Sequence, residues 1–75
     1  MATDFKTMSN SAVLAEIGAR MCRERLNRNF TQMELAARAG VTRIVIQRFE
    51  NGRGCTLESL VRILRVCTRV RDFRV

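Results

Sequence analysis

Gly40 divides residues 31–52, TQMELAARAGVTRIVIQRFENG, into two short amphipathic segments of helical period, and no other feature constrains the fold as much. Thr31, followed three residues later by Glu34, forms a capping box: hydroxyl and carboxylate each satisfy an orphan backbone N–H. From Gln32 onward, Leu35, Ala36 and Ala39 share one face. Gly40 stands where a left-handed residue must close the helix, because it has no Cβ to clash. Val41 follows as an apolar plug, and Thr42 caps a second helix. In that helix Ile46 and Phe49, three apart, turn to the same side as Val41. Arg43, Ile44, Gln47 and Arg48 are left facing away, and Asn51-Gly52 ends the helix.

The flanking helices follow from the same spacing argument. Leu14, Ile17 and Met21 make an i, i+3, i+7 stripe, with Arg25 one turn further on. An arginine on a core stripe needs a partner, since burying it unpaired is costly. Glu50, at the end of the basic helix beside Phe49, is the candidate. Gly18 lowers helix propensity by about 1 kcal/mol against Ala, which a close helix crossing explains. A fourth helix, capped by Thr56, is expected to bury Leu57, Leu60, Val61, Leu64 and Cys67. A second apolar line on it, Ile63, Val66, Val70 and Phe73, would be left bare. Either it forms a two-fold dimer interface, or residues 69–75 fold back as a short fifth helix and cover it. Residues 1–10 read as a loose N-terminal arm, 11–68 as one domain and 69–75 as a tail.

Seventy-five residues bury only about 60% of the unfolded surface, so the core must be efficiently packed helices. There is no proline, and no period-2 strand pattern occurs. No apolar run approaches the roughly 18 residues of a membrane span, and MATDFKTMSN lacks the layout of a signal peptide. Cys22, Cys55 and Cys67 have no C-x-x-C spacing, and there is no histidine. That argues against a zinc site or disulfide framework and for reduced thiols in a cytoplasm, with Cys67 as a small core residue. No cofactor is implied. Without histidine, and with Glu16, Glu24, Glu34 and Glu58 reading as helix-surface or capping charges, no catalytic residue is assigned. The Arg62–Arg74 stretch lacks the Trp or wide apolar face of a membrane-surface helix.

Charge points to a partner class. Fourteen Lys+Arg oppose 7 Asp+Glu, giving a net +7, and all but Lys6 of the fourteen are arginine. Arginine's planar fork suits bidentate contact with phosphate or guanine. A surplus of this size in a small domain favours a polyanion.

Taken in order, Gln32, Ala36, Gly40, Ile46 and the closing Glu50-Asn51-Gly52 resemble the helix-turn-helix of the phage-repressor family (Cro/cI-like, or Xre). Ile17-Gly18-Ala19-Arg20 with Arg25 matches that family's first helix, and Thr56-Leu57 through Leu64 its fourth. The resemblance covers roughly residues 13–68. It implies an all-α, compact four- to five-helix bundle of the lambda-repressor-like type. It also implies an Arg25–Glu50 salt bridge locking the first helix to the third.

It further implies a non-enzymatic, sequence-specific regulator of double-stranded DNA. Base reading falls to Thr42, Arg43, Ile44 and Gln47. Arg43 is expected on a guanine, Gln47 on an adenine or a phosphate, and Ile44 against a thymine methyl or packed locally. Ile44 departs from the small polar residue relatives often carry there. Phosphate contacts fall to Gln32, Arg28, Arg48, Asn51 and Arg53. The chain has no room for a ligand-sensing domain, so no small-molecule ligand is expected. The role expected is an autoregulating repressor of the antitoxin type, of which the HipB-like proteins are examples. Such a repressor binds an inverted repeat as a homodimer and has a possible toxin partner. A phage repressor, a restriction–modification controller, or an antitoxin acting mainly on its toxin fits the same residues.

Overall fold

The computed structural model describes residues 7–67, all-α throughout that range. Helices α1 (Asn10–Asn27), α2 (Gln32–Ala39), α3 (Arg43–Glu50) and α4 (Leu57–Cys67) follow in order. The expected arm (1–6 of it), the tail 69–75, Val70 and Phe73 lie outside the described residues.

Each helix begins on a hydroxyl that accepts the backbone N–H three residues on. Ser9 Oγ accepts from Ala12 N at 3.2 Å, and Thr42 Oγ1 from Val45 N at 3.3 Å. Thr56 Oγ1 accepts from Ser59 N at 3.1 Å. At Thr31 the exchange is reciprocal: its hydroxyl accepts from Glu34 N at 3.0 Å, and its own amide donates to Glu34 Oε1 at 2.8 Å. The Ser9 cap starts α1 inside the stretch read as an arm. Gly40 closes α2 at φ 74°, ψ 32°, in the left-handed region its position requires.

Helices of eight residues are marginal alone, so α2 and α3 depend on burial. Leu35, Ala36 and Ala39 of α2 meet Ile46 and Phe49 of α3 in a core completed by Met21, Ile63 and Cys67. Phe30, Val41, Val45, Leu60, Leu64 and Val66 pack around it. Helix α3 lies against α1 and α2, and α4 against α2. At Gly18 the α1–α3 crossing brings backbone to backbone. A Cβ there would collide with the Phe49 carbonyl oxygen and come within 2.9 Å of that of Glu50.

Helix α4 is turned relative to expectation. Ile63 is wholly buried (0% exposed), whereas Leu57 is 77% and Val61 44% exposed. Val66 is half-buried and packs against the core. Ile63 and Val66 are therefore core residues, not the bare line of a dimer interface. The cause is the width of the apolar arc: at 100° per residue it runs from Val66 round to Val61, roughly 220°. Helix α2 covers only one edge of so wide an arc, and periodicity does not say which. Leu14 and Ile17 also differ from the expected core stripe, each being 37% exposed. Ile17 lines a groove of about 450 Å³ with Met21 and Cys67, between α1 and the end of α4.

Two substitutions test these packings by urea unfolding. Gly18→Ala is expected to destabilise by about 1–3 kcal/mol in spite of its better helix propensity. Ile63→Ala should cost about 2–5 kcal/mol, while Leu57→Ala should stay within about 0.5 kcal/mol.

Candidate nucleic-acid interface

The buried anchor of the site is an ion pair joining residues 25 positions apart. Arg25 Nε donates to Glu50 Oε2 at 2.7 Å and Nη2 to Glu50 Oε1 at 3.2 Å, with the two side chains only 10% and 4% exposed. Nη1 donates to the Phe30 carbonyl at 2.7 Å, and Nη2 also reaches Cys22 Sγ at 3.7 Å. Four of the guanidinium's five N–H donors are thus engaged. The hydrogen bonds it donates to Glu50 raise the Arg25 pKa above its ordinary value against the opposing effect of burial, so the group stays charged. Among the described residues, no buried side-chain nitrogen or oxygen lacks a partner.

This pair fixes the C-terminal end of α3 against α1, and the Thr42 cap fixes its other end. Between them Ile46 and Phe49 point inward, while Thr42, Arg43, Gln47 and Arg48 are exposed. Ile44 is 59% exposed, so it does not pack locally. Asn51 caps α3 and is exposed, as is Arg53 just beyond it. Arg48 and Arg53 line an open cleft of about 420 Å³ with Val45, Gly54, Cys55, Thr56 and Ser59, where α3 meets the start of α4.

Local pairs neutralise part of the positive charge. Glu16 holds Arg20 at 2.8 Å and Glu24 holds Arg28 at 2.8 Å on α1, and Glu58 holds Arg62 at 2.9 Å on α4. Arg38 lies over the Phe30 ring, 4.6 Å from its centroid. By contrast Arg43, Arg48 and Arg53 have no carboxylate partner among the described residues. The positive charge left unneutralised by local pairs therefore includes that on α3 and the loop after it.

Two expected phosphate ligands are placed differently. Arg28 is tied to Glu24 and lines the groove beside Cys67, so the structure does not bring it to the α3 surface. The signal was in the sequence, since Glu24 and Arg28 stand four apart on one helix. Gln32 is half-buried and faces inward: its Nε2 donates to Glu50 Oε1 at 3.1 Å, and its Oε1 accepts from Arg43 Nη1 at 3.4 Å. Neither bond is local, and no spacing rule reveals them. Among the described residues no three Cys, Asp or Glu side chains come together as a metal ligand set. Burial pushes the Cys67 and Cys55 thiols up, away from the thiolate that ligates metal or attacks disulfides.

Comparison with known proteins finds a family model described as Helix-turn-helix matching residues 20–69, two thirds of the chain. No curated protein matches it.

Removing one partner of the buried pair, as in Glu50→Ala, should cost about 3–5 kcal/mol in denaturant unfolding. Glu58→Ala, which breaks an exposed pair, should cost less than about 1 kcal/mol. The Thr31 amide, and after it the Thr31 hydroxyl, hold the Glu34 carboxyl below its ordinary range. A depressed folded-state pKa contributes stability above the unfolded value and loses it as pH falls through the folded one. In an NMR titration Glu34 should therefore protonate below the ordinary glutamate value of about 4.3, and the capping box should open only there.

Proposed function

The chain belongs to the Cro/cI-like (Xre) helix-turn-helix family of DNA-binding transcription regulators, and we propose that it is an autoregulating repressor of the antitoxin type that reads an inverted-repeat operator as a homodimer. What carries the reading is the sorting of charge. Arg20, Arg25 and Arg28 on α1 and Arg62 on α4 are paired with glutamates, while Arg43, Arg48 and Arg53 lie together without carboxylates on or just after the outward α3 face. On duplex DNA the N-terminal turn of α3 enters the major groove, where Thr42, Arg43, Ile44 and Gln47 meet base edges. Arg43 takes a guanine, and the exposed Ile44 meets a thymine methyl. Arg48, Asn51 and Arg53 hold phosphates on either side and set register.

Two-fold pairing of subunits matches the symmetry of an inverted repeat, with half-sites about 10 base pairs apart. With Ile63 in the core, the apolar edge left for a second copy is that of Leu57 and Val61 on α4. In this reading, regulation runs through the repressor's own concentration or through a protein partner such as a toxin.

A gel shift on the promoter of its own operon, repeated across salt concentrations, tests the reading. Arg43→Ala should flatten preference at one base position at a cost of about 1–3 kcal/mol. Arg53→Ala should weaken all sequences alike and reduce the salt slope by about one unit. Identical behaviour of the two variants would show that reading and backbone contact are wrongly divided. In sedimentation at micromolar concentration a dimer is expected, and Val61→Glu should shift it towards monomer. A strict monomer in the unsubstituted protein would rule out pairing without DNA.

A further inference from the structure

We propose that Ile44 makes the protein a reader of cytosine methylation: beside the guanine held by Arg43 it accepts 5-methylcytosine as it accepts thymine, and disfavours unmethylated cytosine. This rests on the DNA-reading function above and widens its ligand from thymine to any pyrimidine bearing that methyl group.

Among the described residues, Ile44 is the one large apolar side chain of α3 left bare. It is 59% exposed and stands outside the core, whereas Val45, Ile46 and Phe49 are buried in it or packed against it. Gln47 and Arg48, at i+3 and i+4, are exposed and polar, as is Arg43 before it. A single isoleucine among polar groups is too small a patch to seat a protein partner.

The chemistry of the side chain decides what it reads. An isoleucine neither donates nor accepts a hydrogen bond, so it does not distinguish an amino group from a carbonyl on a base edge. The one apolar group that unmodified base pairs show in the major groove is the thymine methyl. 5-Methylcytosine carries that methyl on the same ring carbon. It departs from thymine at the next position, where an amino group replaces a carbonyl, and Ile44 has no means to sense the exchange. Preference therefore follows the methyl, with thymine and 5-methylcytosine above deoxyuridine and cytosine. The branched Cβ holds the side chain in one main rotamer on a helix, so it does not swing aside to suit a bare ring edge. Arg43 and Ile44 are consecutive in the first turn of α3, about 1.5 Å apart along its axis, and base pairs stack about 3.4 Å apart. The two residues thus serve neighbouring base pairs, and methylation of a cytosine beside that guanine turns a weaker site into a stronger one.

The test starts from the duplex that the wild type selects from a randomised pool, in which Arg43→Ala locates the guanine. Duplexes are then made with thymine, deoxyuridine, cytosine or 5-methylcytosine at each flanking pyrimidine position, and competed for wild-type and Ile44→Ala protein. At one such position the wild type is expected to favour thymine over deoxyuridine, and 5-methylcytosine over cytosine, by about fourfold each, the value of one buried methyl. Ile44→Ala, a change at an exposed site that leaves the fold intact, should bring both ratios close to one. Wild-type ratios close to one at both flanks overturn the proposal. So do ratios that survive in Ile44→Ala, which would place the methyl effect in the duplex itself. A thymine preference without a 5-methylcytosine preference also overturns it, because the contact then senses the neighbouring group. Each of these leaves the DNA-reading function standing. A wild type that selects no sequence overturns both, and does so before any modified duplex is made.

Discussion

The buried pair between Arg25 and Glu50 holds the molecule in one arrangement. Taking two charges out of water is expensive, and Coulomb attraction alone seldom repays it. Here the debt is offset by saturation: the guanidinium has further acceptors in the Phe30 carbonyl and the Cys22 sulfur, and the carboxylate has a third donor in Gln32. The carboxylate at the end of α3 is thereby tied both to α1 and to the start of α2. A hydrophobic contact would also hold these helices together, but it would tolerate sliding. Directional bonds set α3 in a single register relative to the rest.

That register matters because the outward side of α3 contributes nothing to the core. Ile46 and Phe49 hold the helix down, and Arg43, Ile44, Gln47 and Arg48 are exposed. Solvent-exposed arginines repel one another only weakly at physiological salt. Leaving Arg43, Arg48 and Arg53 without carboxylates therefore costs little in the free protein and leaves their donors open to an anionic partner. Elsewhere the same residue type is neutralised one helical turn away, at Arg20, Arg28 and Arg62. At those three positions a glutamate stands four residues before the arginine, and no glutamate stands so before Arg43, Arg48 or Arg53.

Much of this was legible in the chain because it is local. The caps at Thr31, Thr42 and Thr56 and the left-handed Gly40 depend on neighbours within four residues, and the inward faces of α2 and α3 on strict spacing. Arg25 was found by a different route, as a charge on an apolar stripe that had to be answered. Helix α4 defeated the same logic because its apolar arc is too wide to name the side facing α2. Leu14 misled for a related reason: it lies on the right line but at the end of α1 that the core does not reach. The ties of Gln32 to Glu50 and Arg43 were not legible, because they span 18 and 11 residues and belong to tertiary structure.

The contact at Gly18 has a consequence for how such a protein can change. Because α1 meets the end of α3 through main-chain atoms, that junction does not depend on the side chains α3 displays. The exposed residues of α3 can then be exchanged one for another while the angle at which the helix is presented stays constant. Under the proposed reading, fold and sequence preference are then separately adjustable, and a new operator is reached by rewriting a few surface positions without rebuilding the scaffold beneath them.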